Sequence, residues 1–270
     1  MRGFFFIVLL ALPVLAQAQQ EFIVGKSANT LKKRAATISG EYSVSAFENI
    51  RARRAGLDLA YGITDRFTLS VRGNASDFGG ANFELETGSA TLLYRLIDSP
   101  PVGKQWNLAA FGQATALARA AQIPGDINLD TNSSGFSLGL VLNRQLETVT
   151  LAGSIAFAKV SFPRLIPGLL KGFGLLYQLS ANKQVDMHVD GFSFTLSLIT
   201  ELIGQYNNQI RKFDSDFFGA GSYLDWLGAV QVTVDNQYRV ELGLQTEIFG
   251  NVSRFSEGLY HIRLKYLLNW

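Results

Sequence analysis

Leu259-Tyr260-His261-Ile262-Arg263-Leu264-Lys265-Tyr266-Leu267-Leu268-Asn269-Trp270 closes the sequence with a strict two-residue rhythm. Tyr260, Ile262, Leu264, Tyr266, Leu268 and Trp270 fall on one face, and His261, Arg263, Lys265 and Asn269 on the other. Leu267 is the single apolar intruder on the polar face. Successive side chains of a strand point to opposite sides. The stretch therefore reads as a strand that is greasy on one side and charged on the other.

The same rhythm recurs upstream, in Ile38-Ser39-Gly40-Glu41-Tyr42, Phe136-Ser137-Leu138-Gly139-Leu140, Phe192-Ser193-Phe194-Thr195-Leu196 and Tyr238-Arg239-Val240-Glu241-Leu242. Strands are expected near 36–46, 54–63, 67–75, 83–96, 105–120, 134–144, 148–160, 172–181, 190–204, 222–234, 238–249 and 258–270. The chain is 47% hydrophobic, yet its apolar residues after Ala18 are spread by alternation rather than gathered in a run of membrane-helix length. In lipid, only helices and closed barrels satisfy every backbone polar group. The expected fold is thus all-β: a transmembrane antiparallel up-and-down β-barrel of about twelve strands. A net charge of +2 argues against a nucleic-acid partner, and the absence of Cys excludes disulfides and a lipoprotein anchor.

The amino-terminal end fits that reading. Arg2, the apolar run Gly3 to Ala16 and the small-x-small pattern Ala16-Gln17-Ala18 have the form of a cleaved signal peptide, 1–18. Residues 19–35, with Lys26, Lys32, Lys33 and Arg34, read as a basic periplasmic lead-in before a barrel over 36–270. Tight turns are expected at Thr64-Asp65-Arg66, Arg144 to Glu147 and Asp235-Asn236-Gln237. Longer connections are expected at Glu48 to Arg53, Asp77 to Asn82, Ala121 to Ser133, Ser161 to Lys171, Gln205 to Gly221 and Asn251 to Glu257. Short turns belong on the periplasmic side of such barrels, so both termini face the periplasm. The Pro-rich stretch Ile97 to Lys104 is long for that side. Aromatics near strand ends, among them Trp106, Tyr223, Trp226, Tyr238 and Tyr266, suit interfacial girdles. Across the first tight turn, pairing Ile63 with Phe67 sets Asp58 opposite Arg72 inside the barrel.

Candidate functional residues are those on the polar face. The expected lumen lining includes Glu41, Asp58, Arg72, Arg119, Glu201, Arg239, Glu241, Glu247, Arg263 and Lys265, with Arg95 in the same phase. The two signs nearly balance. A single-sign ring would argue for a selective pore, whereas a balanced set can pair across the bore and fill it, so open and filled bores both remain compatible. The histidines, His188 and His261, are expected as hydrogen-bonded lumen or turn residues rather than as catalytic groups. Asp126, Asn128 and Asp130 alternate as in the start of a calcium loop. Thr131 stands where that loop needs Gly and Ser137 where it needs Glu, so a solvated loop is expected there. No cofactor is called for.

Two resemblances add to this. Leu57-Asp58-Leu59-Ala60-Tyr61-Gly62-Ile63-Thr64-Asp65-Arg66-Phe67-Thr68-Leu69-Ser70-Val71 resembles a hairpin of the outer-membrane, transporter-like family of the meta-pathway of phenol degradation. There a Tyr-Gly-Leu-Thr-Asp-Arg-Leu type turn joins early strands, and Ile63 replaces the usual Leu. The resemblance implies a barrel moving small hydrophobic or aromatic compounds, and carries over no substrate residue. The terminal strand is similar to the assembly signal of outer-membrane barrels, with Arg263 at its polar position and Leu268 and Trp270 at its apolar ones. Lys265 stands where that signal usually has Gly.

The expected function is a porin-like passive channel or transporter for small solutes in a Gram-negative-type outer membrane. The expected partners are outer-membrane lipid and the barrel-assembly machinery. A lipid-modifying barrel enzyme and a closed structural or loop-display barrel are the alternatives.

Overall fold

A computed structural model gives the fold and describes residues 26–47, 50–77, 82–98, 105–118, 134–161, 172–189, 192–208, 210–212, 215–218, 221–235, 237–250 and 258–268. The expected signal peptide, the loop with Asp126, Asn128 and Asp130, Arg119, and Trp270 lie outside the described residues.

Among the described residues fourteen strands follow one another: β1 (Ala36–Phe47), β2 (Ile50–Thr64), β3 (Phe67–Ser76), β4 (Glu84–Asp98), β5 (Gln105–Leu117), β6 (Ser134–Leu146), β7 (Val149–Ser161), β8 (Gly172–Val189), β9 (Phe192–Asn208), β10 (Ile210–Lys212), β11 (Ser215–Phe218), β12 (Gly221–Val234), β13 (Tyr238–Gly250) and β14 (Gly258–Leu268). Twelve of them close into one antiparallel barrel, in the order β1-β14-β13-β12-β9-β8-β7-β6-β5-β4-β3-β2. β10 and β11 pair only with each other, as a small hairpin in the connection between β9 and β12. Closure removes free sheet edges, which lipid does not tolerate.

The alternation has its physical counterpart in exposure. Leu59, Val71, Leu138, Leu179, Leu242 and Leu264 are each half exposed or more on the outer surface. Residues of the opposite phase on the same strands, Thr68, Ser137, Ser180, Glu241 and His261, are buried. A soluble protein would hide the first set and show the second. In this barrel lipid covers the first set, and the bore holds the second.

Several details differ from the sequence reading. Phe47 faces Ile50 directly, so the first connection is residues 48–49 alone and Arg53 lies within β2. The run Ile50-Arg51-Ala52-Arg53-Arg54 lacks apolar alternation, so the sequence hides the start of this strand. β8 continues to Val189, with Val185 and Met187 keeping the exposed phase beyond Lys183. At the first tight turn Thr64, not Ile63, faces Phe67; Ile63 is the extra residue of a bulge between Gly62 and Thr64. Past that bulge the expected register holds, with Tyr61 opposite Leu69, Leu59 opposite Val71 and Asp58 opposite Arg72. Tyr223 belongs to the bore rather than the girdle: it is buried, and its hydroxyl donates to Gln205 Oε1 at 2.9 Å.

The largest departure concerns the lead-in, whose residues 26–31 lie inside the barrel. Arg34 turns the chain with a φ of 68°. Its amide donates to the Gly62 carbonyl, and the Gly62 amide to the Ala35 carbonyl, both at 2.8 Å. A Cβ at residue 62 would stand 2.0 Å from the Lys32 carbonyl oxygen. Only glycine lets the segment pass this rim. Further in, the Leu31 amide donates to Thr68 Oγ1 at 2.8 Å, and Thr30 Oγ1 to the Asp65 carbonyl at 2.6 Å. The bore supplies polar partners at each step, which a short polar stretch without strand partners of its own requires.

Candidate functional site: a two-sided bore

The inner surface divides into two walls of different chemistry. One is built from β13, β14, β1, β2 and β3, and carries most of the expected charged residues. Glu41 is its centre: Oε2 accepts from Arg72 NH2 at 2.9 Å and from Arg263 NH2 at 3.1 Å. One carboxylate oxygen thus bridges β3, β1 and β14. Arg72 also donates from Nε to Asn74 Oδ1 at 3.1 Å, and Asn74 Nδ2 donates to Thr87 Oγ1 at 3.2 Å. Arg263 NH1 lies 3.9 Å from Glu241 Oε1, and His261 Nε2 lies 3.5 Å from the same oxygen. Turned about its amide, Gln231 donates to Glu241 Oε2 and accepts from Arg239 Nε, both at 3.3 Å. Asp58 sits opposite Arg72 in the same phase, and Lys265 opposite both Ser39 and Arg239. Burying charge costs several kcal/mol per ion unless it is paired and hydrogen-bonded. This wall meets that cost with opposite charges on adjacent strands.

His261 is part of the same wall. Its side chain is 2% exposed, and a Cβ at Gly243, its cross-strand partner, would lie 2.3 Å from the imidazole Cε1. It faces the bore, away from lipid. The side chain of His188 lies outside the described residues.

The other wall is built from β5 to β9 and β12, with Leu93 of β4 at its margin. Here apolar inward residues meet. Ala109, Phe111, Val141 and Ala156 form one buried cluster, joined by Leu93 and Leu176. Ala152, Ile199 and Leu227 form a second, joined by Ile203 and Ala229. Polar side chains between them bond among themselves: Gln178 Nε2 donates to Glu201 Oε2 at 2.9 Å and to Ser180 Oγ at 2.8 Å, and Gln245 Nε2 from β13 donates to Asp225 Oδ2 at 2.6 Å. Among the described inward residues of these six strands there is no Lys or Arg.

The inserted segment crosses from the first wall to the second. Asn107 Nδ2 donates to Asn29 Oδ1 at 2.9 Å, and Asn143 Nδ2 to Ser27 Oγ at 2.8 Å. Ala28, fully buried, joins the Phe111 cluster. Lys26 Nζ donates to Gln113 Oε1 at 3.0 Å and stands 4.9 Å from the centre of the Phe111 ring.

Of the expected lumen residues, the structure brings together Glu41, Arg72, Arg239, Glu241 and Arg263. Glu201 stands apart on the second wall, and Glu247, opposite Asp225, lies just before a bulge near the far end of β13. Arg95 is at the opposite, tight-turn end, where NH2 donates to the Asp65 carbonyl. Arg263, expected as part of an assembly signal, points into the bore and pairs with Glu41; the Leu268 side chain lies outside the described residues. Among the described residues no group of three or more His, Cys, Asp or Glu could hold a metal ion. A count of charges passed over the inserted segment and the apolar wall. Their signals were Gly62 at a strand end, and doubled apolar positions such as Leu175-Leu176 and Leu198-Ile199, which break strict alternation.

No family model matches the sequence, and no curated protein matches it. Solved structures do. One, described as the COG4313 outer membrane channel from Pseudomonas putida F1, superposes with a TM-score of 0.56 at 13% identity, covering 92% of this chain and all of that one. Another, described as the KdgM porin, has a TM-score of 0.49 at 10% identity, over 86% of this chain and 99% of that one. At such identities the likeness is one of fold. The closed twelve-strand barrel and its apolar outer belt agree with it, and the chain has the fold of a bacterial outer-membrane β-barrel.

Proposed function

We propose that this protein is a passive channel for small solutes, including hydrophobic or aromatic ones, and that they travel along the apolar wall. The observation that carries the reading is the asymmetry of the bore. A general water-filled pore gains nothing from a buried strip of Phe111, Val141, Ile199 and Leu227. A route for apolar solutes gains a surface that offsets their dehydration by roughly 25 cal/mol per Å². The charged wall opposite is tied up in its own pairs, and serves as the rigid side. Lipid surrounds the belt. The barrel-assembly machinery is the proposed route of insertion, with Leu268 and Trp270 as its contact.

Refolded protein in a planar bilayer tests this directly. Discrete current steps are expected, together with faster uptake of small aromatic alcohols than of sugars of similar size into protein-loaded liposomes. A silent bilayer with no solute preference would refute the proposal.

A further inference from the structure

We propose that the tight-turn rim of the barrel carries, on its lipid-facing side, a binding site for the phosphate headgroup of an anionic glycerophospholipid. Arg144 of β6 and Lys183 of β8 supply the charge, and Trp106 of β5 holds the arginine in place. The inference concerns the outside of the barrel, so it goes beyond the channel reading and does not depend on it.

Strand register puts these side chains on one surface. Trp106 faces Arg144, Arg144 faces Leu151, and Val149 faces Lys183. Directly opposed residues share a face of the sheet. The exposure of Trp106, Leu142, Leu151 and Leu179 marks that face as the outer one. Arg144 and Lys183 stand two strands and two residues apart, roughly 12 Å between Cα atoms, so their long side chains can meet at one headgroup. The guanidinium carbon of Arg144 lies 4.7 Å from the centre of the Trp106 ring, an attraction that fixes its plane. A guanidinium held in this way offers its other N–H groups to phosphate with little entropy left to lose. Both cations sit where the apolar belt gives way to the tight turn at residues 147–148, the depth at which headgroups begin. Leu142, Leu151 and Leu179 continue the surface into the belt, for the acyl chains. The electrostatics choose the sign. The described outward residues of β5 to β9 include no Asp or Glu, and among the described residues neither cation has an ion-pair partner. Of the acids at this rim, Glu147 is on the turn itself, beyond the belt, and Asp186 faces the other side of β8, where it accepts from Thr195 Oγ1 at 2.7 Å. At the opposite rim the outward Arg53 is already paired with Asp77 at 2.6 Å, and Lys159 has Phe136 and Phe173 as its strand partners.

Native mass spectrometry of the refolded full chain tests the proposal. Bound lipid is counted after exposure to an equal mixture of phosphatidylglycerol and phosphatidylcholine with the same acyl chains. Wild type should retain phosphatidylglycerol in preference. Arg144→Gln and Lys183→Gln should each weaken that preference about fivefold. Trp106→Leu should weaken it in the same direction, by releasing the guanidinium. Lys159→Gln removes an outward cation at the other rim and should leave it unchanged. Should a variant fail to fold, wild type alone decides the matter: raising ammonium acetate to about 1 M cuts the reach of charge to about 3 Å and should erase most of the preference. No preference for phosphatidylglycerol, a preference that survives the two Gln substitutions or the salt, or an equal loss in Lys159→Gln would each overturn the proposal. The last result would reduce the site to diffuse attraction between charges.

Discussion

The two walls of the bore obey the same alternation and yet solve different problems. On the charged wall Arg72 and Arg263 meet Glu41 from the strands on either side, and the oxygen they share leaves little for a visitor to bind. On the apolar wall much of the inward surface is apolar and satisfied by contact, and the chain itself supplies part of the filling, with Ala28 and Lys26. Charge inside a barrel is therefore no sure pointer to the ligand path. The first wall spends its charges on itself, and the second is covered by a borrowed peptide.

Breaking the charged wall should have the largest effect. Glu41→Ala leaves two arginines facing each other without their shared anion. Losing one partner of a buried pair costs ~3–5 kcal/mol, and the partial exposure of these side chains reduces that to about 2–3 kcal/mol. Urea titration of folded barrel in liposomes would read it, and a loss under about 0.5 kcal/mol would show that the pairs are solvated. Next comes the outer face. Leu242→Arg, at a residue 55% exposed to lipid, should cost ~2–4 kcal/mol near the bilayer midplane. Gln245→Arg, pointing inward from the same strand, should cost clearly less in the same titration. Equal costs would mean that the inside and outside of β13 are interchanged.

A glycine pair sharpens the contrast further. Gly243→Ala drives a methyl into the imidazole of His261, which is pinned beside Glu241, and overpacking of this kind costs ~1–3 kcal/mol. Gly204→Ala meets the ring of Tyr177 at 2.0 Å on the outer surface, but that ring can swing into lipid, so a smaller loss is expected. The reverse order would argue that the charged wall is soft.

The smallest effect lies at the rim. Asp77, just beyond β3, is buried enough to raise its pKa. Bonds from the Arg53 amide and guanidinium outweigh that and hold the carboxyl below the usual carboxylate range. Its contribution is complete above the ordinary Asp pKa and is lost as pH falls through the lowered value. Proteolysis across the acid range should show wild type loosening at a lower pH than an Asp77→Glu variant, whose longer side chain spoils the bonds. Coincident profiles would remove Asp77 from the account.

Much of this was legible in the chain because alternation is enforced at every step by two solvents, lipid outside and a polar bore inside. A slip of one residue exchanges all faces at once. Hence Asp58 opposite Arg72 could be read from the sequence, even though the turn itself uses a two-residue tip and a bulge at Ile63. Strand ends above the lipid band were harder. Arg53 and Arg54 pair with Asp77 and Glu86 there rather than with an apolar partner, and the start of β2 carries no pattern. The inserted segment could not be read at all, since six residues without periodicity look the same in solvent and in a bore. Nor could the division into two walls, because it depends on which strands lie across from one another.

The shared carboxylate also dates the parts of the molecule. The contact from Arg263 to Glu41 spans 222 positions in the chain. Contacts so distant in sequence are slow to form, because most of the chain must be ordered before they reward it. The apolar wall is assembled from successive hairpins of β5 to β9, each pairing with its immediate successor. It can stand before the last strand has emerged from the export machinery. The charged wall cannot, for its keystone joins the first strand to the final one. The barrel is consequently built around its apolar wall, and Glu41 is the clasp that records that the ring has shut.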